Sequence, residues 1–287
     1  GIMMLGALAW IGVPSDTQEY YSERSTNTEA NDATGSAEFL HSRRMNPATG
    51  KIDPADVLAA RQATQQLALN KTNAAIGLNW DEMGPNDMGG RTRAVLFDRN
   101  NASLMWAASV SGGIFHSPNA GRSWNPVNDQ LENLAINSLC MSANGDIYAG
   151  TGEDMYYFAS GRRSGGILGD GIYKSTDGGQ TFTQLASTNP ATNPGDGWTA
   201  VGKMAADPTD ANRIYAATTD GLKVSDDAGA SWADAIPAGG EALDLTVTSS
   251  GAVWVKEGQF IYYSPSGDAG SFTEKTVSPT AGDQATN

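Results

Sequence analysis

The chain is poor in cysteine, histidine and basic residues. It contains 1 Cys and 2 His, and its 18 Lys and Arg are outnumbered by 32 Asp and Glu. One cysteine excludes an intramolecular disulfide framework and a thiolate-bound metal cluster. A formal net charge of -14 argues against partners that need a basic surface, namely nucleic acid and anionic lipid. Cys140 lies in the strand-like run 136–142, which predicts a buried and unreactive thiol.

Long apolar runs are also lacking. Residues 1–13 are mostly apolar, but a transmembrane helix needs about 20 such residues. The segment is similar to the hydrophobic region of a signal peptide, with Ala7-Leu8-Ala9 as a cleavage site, and no basic residues precede it. We therefore expect export, a sequence that starts inside a longer precursor, and no membrane insertion once the signal is removed. The alternative is a buried N-terminal strand or helix.

The next part of the chain is polar and then helical. Residues 14–35 have few apolar side chains, which predicts a disordered linker. Residues 36–79 predict a helical lead-in of two helices. The first is short and ends before Pro47, because proline disfavours helical geometry in its predecessor. The second runs from Asp53, a suitable N-cap, to Leu69 through strong helix formers.

Glycine, in contrast, is abundant at 34 residues, and after residue 80 short β runs alternate with tight turns. One unit recurs four times in this region: two β runs joined by a turn, with a further β run upstream. The upstream runs comprise residues 93–97, 138–141, 202–205 and 243–247, and the paired runs lie within 101–117, 146–175, 213–225 and 251–264.

Each unit closes with a short motif, which we call the box turn. Three copies, at 117–124, 175–182 and 225–232, have the pattern Ser-x-Asp/Asn-x-Gly-x-Ser/Thr followed by an aromatic residue; the fourth, at 264–272, is degenerate and longer. The motif resembles the Asp-box, or BNR, repeat of sialidases, sortilin-type receptors, xyloglucanases and photosystem II assembly factors. The motif residues are Ser117, Asn119, Gly121, Trp124, Ser175, Asp177, Gly179, Phe182, Ser225, Asp227, Gly229 and Trp232.

The box residues are expected to build a hairpin. Glycine adopts a backbone conformation open to few other residues, while the Asp or Asn side chain and the hydroxyl groups bond to nearby turn groups. The terminal aromatic residue is expected to anchor the next strand in the core. Asp177 and Asp227 are therefore predicted to be turn formers, and not catalysts or metal ligands.

The spacing of the box turns predicts the fold. Their serines recur at intervals of roughly 40 to 60 residues, compatible with four-stranded propeller blades. We predict an all-β fold, a β-propeller with about four blades in residues 80–287 behind the helical lead-in. Asp-box families close with six or more blades, so the resemblance implies a propeller that is incomplete at the C-terminus. The longest interval indicates an insertion, residues 152–170, between the middle strands of the second blade.

The catalytic signatures of the resembling families are not found in this sequence. Sialidases have an Arg-Ile-Pro motif in the opening blade, where this chain has Arg91 and Arg93. Their spacing predicts that both lie on one strand face, either as ligand contacts at the channel or as hydrogen-bonding groups between blades. Xyloglucanase-type propellers carry an acidic residue before the Gly-Gly turn of the first blade. Val110 takes that place here, with Asp98 as the alternative acid if the alignment shifts.

The insertion is the predicted recognition surface, because loops on rigid scaffolds usually carry binding residues. Tyr and Arg, which it contains, are enriched at binding hot spots. The alternative is a solvated loop packed on its own blade. Its two carboxylates could hold calcium, but they lack the alternating oxygen ligands of a calcium loop, and His41 and His116 suggest no metal site. The candidate ligand-binding residues are Glu153, Asp154, Tyr156, Tyr157, Arg162, Arg163, Arg91 and Arg93.

We therefore expect a non-catalytic, secreted or cell-surface propeller that binds or scaffolds glycan or protein ligands without a cofactor. Two alternatives stay open. One is a glycoside hydrolase of xyloglucanase or sialidase type, with catalytic acids partly outside this chain. The other is a sortilin-like peptide receptor. The layout of export signal, helical lead-in and box turns also resembles the exported surface proteins of Bacteroidota that use type IX secretion.

Overall fold

The computed structural model describes residues 39, 42–43, 45–51, 54–69, 91–127, 131, 133–153, 156–157, 162–163, 167–195, 197–237 and 240–276. The predictions for residues 1–35 and for Asp53 and Asp154 lie outside these residues. Helix α1 spans Pro54–Leu69 and confirms the second predicted helix. The described residues of the first predicted helix, at 39, 42 and 43, are helical. No helix in the described part of the chain is long and apolar enough to span a bilayer.

Four antiparallel sheets of four strands follow, and we call each sheet a blade. In every blade the first three strands of the sheet pair as an antiparallel meander, and a short fourth strand follows the box turn. The first blade contains β1 (Thr92–Phe97), β2 (Met105–Ser109), β3 (Gly113–Ser117) and β4 (Asn125–Pro126); the second contains β5 (Ile136–Met141), β6 (Ile147–Thr151), β9 (Ile172–Ser175) and β10 (Thr183–Gln184), with β7 (Tyr156–Tyr157) and β8 (Arg162–Arg163) inserted between β6 and β9; the third contains β11 (Val201–Ala206), β12 (Ile214–Thr218), β13 (Gly221–Ser225) and β14 (Ala233–Asp234); the fourth contains β15 (Ala242–Val247), β16 (Val253–Glu257), β17 (Phe260–Ser264) and β18 (Thr273–Glu274).

The blades pack face to face in chain order. Their first strands, β1, β5, β11 and β15, contact one another in that sequence. Each of the three apolar core clusters lies between two consecutive blades, because both faces of an inner sheet carry apolar side chains. This architecture is four blades of a β-propeller, as the spacing of the box turns predicted. The four upstream β runs and the position of the insertion are also confirmed.

The first strand of every blade has a bulge at its second residue. The pairing register shifts between Thr92 and Ala94 in the first blade and at the equivalent place in the other three. A bulge leaves one residue without a direct partner across the ladder and redirects its side chain. The bulged residues are Arg93, Asn137, Gly202 and Leu243.

The box turns are built as predicted. In the three regular copies the serine Oγ accepts the amide of the box glycine at 2.8 Å, as Ser175 does from Gly179. Asp177 accepts the amides of Gln180 and Thr181 at 2.9 Å each, and the Thr181 hydroxyl at 2.6 Å. These bonds, the one from the Thr181 hydroxyl first, lower the pKa of Asp177 below its ordinary range. Asp177 is therefore held as an anion within its own turn.

Two features of the box turns were not predicted. The residue before the box glycine is also left-handed, even where it is alanine, with φ of 59° at Ala120 and 58° at Ala228. The terminal aromatic residue is not always buried: Phe182 lies in the core, whereas Trp124 is 37% exposed. The prediction of a core anchor was therefore wrong for Trp124. These aromatic residues pack backwards onto the preceding blade, and the described residues contain no blade before the first.

Candidate functional site

The insertion leaves the second blade at the end of the propeller that we call the upper rim. The upper rim consists of the described turns and interblade segments 109–113, 133–135, 151–153, 167–171 and 197–200. These segments are hydrogen-bonded to one another; for example, the Gly113 amide donates to the Leu134 carbonyl at 2.9 Å and the Gly171 amide to Trp198 at 3.0 Å. The loops of neighbouring blades therefore form one connected surface.

The stem of the insertion, residues 152–153 and 167–169, is bonded to the interblade segments on both sides. Within the stem, the Glu153 amide donates to the Ile167 carbonyl at 2.8 Å. On one side the Asn133 side-chain amide donates to the Leu168 carbonyl at 2.8 Å. On the other side the Gly169 amide donates to Thr199 at 2.6 Å. The insertion is thus attached to the blades before and after it.

Two glycines allow this close contact. A Cβ on Gly152, which has a φ of +88°, would overlap the backbone of Thr199 and Gly169, and a Cβ on Gly169 would overlap the backbone of Thr151. Backbone atoms cannot move aside as a flexible side chain can, so only glycine fits at either position. The stem is therefore a rigid base.

Beyond the stem, four of the eight candidate ligand-binding residues lie on two short paired strands. Strand β7 pairs with β8, so that Tyr156 is opposite Arg163 and Tyr157 is opposite Arg162. The sequence predicted a flexible loop at this place, and the structure has two paired strands instead. Each of the two cross-strand pairs thus joins one tyrosine with one arginine. Their role in ligand binding stays a prediction.

Arg91 and Arg93 both bond to the second blade. Arg91 lies before β1 and forms an ion pair with Glu153, which is buried while Arg91 is about half exposed. Arg93 donates from Nε to Asn137 Oδ1 at 2.6 Å, and the Asn137 amide donates onward to the Gly202 carbonyl at 3.3 Å. The bulges thus connect three blades along their first strands. Both arginines therefore form contacts between blades, which is one of the two roles predicted for them.

The acidic residues considered for catalysis have other contacts. Asp98 lies at the end of β1 remote from Arg91, where its Oδ1 accepts the amides of Asn100 and Asn101 at 2.8 Å each. Because β1 has 6 residues, the two ends are roughly 20 Å apart. The alternative that placed Asp98 in the site was therefore wrong, since Asp98 forms a turn at the opposite rim. Val110 is buried, and its amide donates to the Arg91 carbonyl at 3.1 Å.

A cleft that the sequence did not predict opens beside the upper rim. It has a volume of about 440 Å³ and lies between helix α1, through Ala55 and Leu58, and the interblade segment that carries Trp198. A second cleft of about 490 Å³ is also lined by Trp198, together with Trp232 and Lys223 among others.

The second cleft combines aromatic rings with a buried cation. Trp198 and Trp232 meet edge to face with ring centroids 5.3 Å apart. Lys223 bonds to Asp234 at 2.6 Å and to Asp220 at 3.4 Å. Burial opposes the charge on Lys223, but its carboxylate partners outweigh burial and raise the pKa of Lys223.

Metal-ligand chemistry is not evident in the described residues. They contain no group of three or more His, Cys, Asp or Glu side chains that could hold an ion. His116 stacks on Trp106 with centroids 5.2 Å apart. Glu153, one of the two residues considered for calcium, forms an ion pair with Arg91.

Comparisons with known proteins give one curated relative and several solved structures. No protein-family model matches the chain. A xyloglucanase from Paenibacillus sp. is 27% identical over an alignment of 242 residues, and the match covers 69% of this chain and 22% of that protein. The chain thus spans about a fifth of the length of the curated relative it matches.

The solved structures include two GH74 enzymes and a YCF48 protein. An ancestral GH74 enzyme has a TM-score of 0.48 at 16% identity, covering 64% of this chain and 25% of its own. The GH74 enzyme of Niastella koreensis has a TM-score of 0.45 at 20% identity, covering 63% and 24%. YCF48 bound to D1 peptide has a TM-score of 0.43 at 17% identity, covering 61% and 51%.

Proposed function

We propose that this chain belongs to a secreted or cell-surface, non-catalytic Asp-box propeller that binds polysaccharide through the insertion of its second blade. The observation that carries the proposal is the stem, which is bonded to the interblade segments on both sides and has no space for side chains at Gly152 and Gly169. A rigid base holds the hairpin in place before a ligand arrives, which lowers the entropy lost on binding.

The composition of the hairpin suits a sugar ligand. Tyrosine rings offer an apolar face and a hydroxyl group, and a guanidinium group offers five hydrogen-bond donors. The pairing of β7 with β8 places Tyr156 opposite Arg163 and Tyr157 opposite Arg162. The curated relative is a xyloglucanase, which supports a plant-type β-glucan as the ligand. The absence of an acid at Val110 supports binding without hydrolysis.

Binding can be tested by affinity electrophoresis and calorimetry with xyloglucan and cello-oligosaccharides. We expect the Tyr156→Ala/Tyr157→Ala variant to lose at least about tenfold in affinity, since an aromatic hot spot contributes roughly 2 kcal/mol or more. The matched control is Tyr20→Ala/Tyr21→Ala, an adjacent tyrosine pair near the N-terminus. Equal affinity of both variants, or no retention on any polysaccharide, would refute the proposal. Retention on peptide ligands alone would favour a sortilin-like receptor.

A glycoside hydrolase is the second candidate, and the similarity to a xyloglucanase favours it. Glu153 and Asp170 are the buried carboxylates of the upper rim. Release of reducing sugar from xyloglucan, abolished by Glu153→Gln or Asp170→Asn in a variant that still binds, would replace the binding proposal. Sugar release that survives both substitutions would place the acids elsewhere.

A further inference from the structure

The connection between the second and third blades is longer than the connections between the other consecutive blades. It comprises residues 185–200, whereas residues 127–135 and 235–241 form the other two connections. It contains a 3-10 helix, Ala186–Thr188. Three residues of this connection line the second cleft: Ser187, Asn193 and Trp198. The repeat is therefore extended at this place, and the cleft lies beside the extension.

Hydrogen bonds hold this connection in place against the third blade. The hydroxyl group of Ser187 donates to the carbonyl of the box glycine Gly229 at 2.6 Å. The side-chain amide of Asn193 donates to the carbonyls of Ala186 and Asn189 at 3.1 Å each. Because these donors are already bonded within the protein, the oxygens Ser187 Oγ and Asn193 Oδ1 are what the two side chains offer to a ligand. This wall of the cleft is ordered and supplies hydrogen-bond acceptors.

The opposite wall departs from the repeat at one position of the third strand. Two residues before the box serine, the first, second and fourth blades have an aromatic residue: Phe115, Tyr173 and Tyr262. The third blade has Lys223 there, and the Lys223 side chain is only 6% exposed. Its ammonium group bonds to Asp234 and Asp220. Burial of an ammonium group costs free energy that burial of a ring does not, so the packing of blades alone does not account for this lysine.

Two indole rings line the cleft together with this ion pair. Trp198 belongs to the connection, and Trp232 is the box aromatic of the third blade. Trp198 is buried, and its edge-to-face contact supports Trp232, which is only partly buried. The adjacent hydroxyl group of Ser231 donates to Asp227 at 2.6 Å, so its oxygen is also left as an acceptor. The cleft thus combines a ring surface, several oxygen acceptors and one ammonium donor.

The charges of the cleft favour a neutral ligand. Lys223 is paired with two carboxylates in a chain with a formal net charge of -14, so an anion would be repelled. A cation would need the carboxylates that already bond to Lys223 and would lie close to the ammonium group. A hydroxyl group avoids both costs, because it donates and accepts hydrogen bonds without a charge. The lining therefore suits a molecule with several hydroxyl groups and an apolar face, which is the chemistry of a saccharide.

We propose that the second cleft is a binding site for a neutral saccharide. The face of a sugar ring packs on Trp232, and its hydroxyl groups bond to Asp234 and Lys223. The cleft volume of about 490 Å³ lies within the range of small-molecule sites, roughly 300–1,000 Å³. None of the described residues that line this cleft belongs to the insertion, so the proposal does not depend on polysaccharide binding by the hairpin of β7 and β8.

NMR titration of the full chain tests this site, because the indole N–H signals of Trp198 and Trp232 report on the cleft. The probes are glucose, xylose and cellobiose, with acetate and methylammonium as charged probes. Trp198→Phe and Trp232→Phe assign the two signals. We expect the sugars to shift the Trp232 signal in a saturable way and the charged probes to leave it unchanged.

Two substitutions measure the contribution of the ion pair. Asp234→Asn changes a side chain that is 62% exposed and should leave the fold intact, and Lys223→Met removes the buried ammonium group. Each removes a charged hydrogen-bond partner, so we expect the dissociation constant for the sugar to rise about tenfold or more. The matched control is Lys174→Met. It removes a lysine of the second blade that pairs with Asp146 at 2.9 Å outside the cleft, and it should leave the affinity unchanged.

The proposal would be overturned by the lack of a saturable Trp232 shift with all three sugars, by a shift with a charged probe alone, or by equal affinities in the two ion-pair variants and the control. The variant Tyr156→Ala/Tyr157→Ala separates this site from the insertion. We expect it to keep the Trp232 shift, and loss of the shift in this variant would assign the sugar to the insertion instead. A Trp232 shift without any binding of polysaccharide to the hairpin would refute only the function proposed for the insertion.

Discussion

Two adjacent glycines of the second box turn allow a direct measurement of the contact between the box glycine Gly179 and the ring of Trp106 in the first blade. Gly178 and Gly179 have nearly the same backbone conformation, with φ of 72° and 77°. A Cβ on Gly178 would have no atom within 4 Å, whereas a Cβ on Gly179 would overlap Trp106 of the first blade. Substitution by alanine therefore adds the same backbone strain at both positions, but a steric conflict between blades at one only.

The magnitudes follow from these two contributions. A left-handed alanine costs about 1–2 kcal/mol, which is the expected loss in the free energy of unfolding for Gly178→Ala. Gly179→Ala adds the overpacking of a tightly packed contact, about 1–3 kcal/mol, so its total loss should be about 2–5 kcal/mol. Urea unfolding of the wild type and both variants, followed by circular dichroism, measures the difference. In a domain of this size each kcal/mol shifts the midpoint temperature by roughly 2–4 °C.

Equal losses in the free energy of unfolding for the two variants would refute the idea that the lack of a side chain at Gly179 makes room for the Trp106 ring. A double-mutant cycle strengthens the test, because Trp106→Phe removes the Nε1 atom that a Cβ on Gly179 would overlap. In the Phe background the difference between the two alanine variants should shrink by about 1 kcal/mol or more. An unchanged difference would mean that the strain lies within the turn.

Three further predictions concern buried groups. Burial raises the pKa of Cys140 to about 12, so we expect a thiol reagent to label it only at the rate of unfolding, and rapid labelling of the folded chain would contradict this. Burial also raises the pKa of Glu257 above its ordinary 4.5, so the folded state favours the protonated form. The free energy of unfolding therefore falls as the pH rises from 4.5 through the raised pKa. Over that range we expect Glu257→Gln to gain thermal stability relative to the wild type. Arg91→Met leaves the carboxylate of Glu153 buried without its cation, and hydrogen exchange should become faster in the described stem residues 152–153 and 167–169 and stay unchanged in β16.

Much of the fold follows from local sequence signals. The box turns require glycine and an Asp or Asn at fixed positions, and this chemistry depends on residues close in sequence, so Ser175, Asp177 and Gly179 were assigned correctly from the chain alone. The helix ending at Leu69 follows from helix formers, and the insertion follows from one long interval between box serines. These features need no knowledge of which blades are neighbours.

The errors arose where contacts between blades decide the outcome. The exposure of Trp124 depends on whether a blade precedes it, and no local pattern carries that information. The same holds for the ion pair of Arg91 with Glu153, which joins residues on separate blades. One signal was available and unused: the second residue of each second strand is aromatic in all four units, including Trp254, and a repeated aromatic at one sheet position indicates a repeated partner.

The repeated blade structure also indicates which residues are free to vary and which are fixed by packing. The box glycine Gly179 serves its own turn through the left-handed backbone and the interface with the preceding blade through its lack of a side chain, so two independent constraints select the same residue. Residues under such double constraint are unavailable for ligand recognition. Variation is free where the repeat is interrupted, and the second blade is interrupted between β6 and β9, at the point where its stem bonds to the segments on both sides. This supports the proposal that the insertion carries the ligand specificity, and a change of the sequence between Glu153 and Ile167 should then alter binding without altering the stability of the blades.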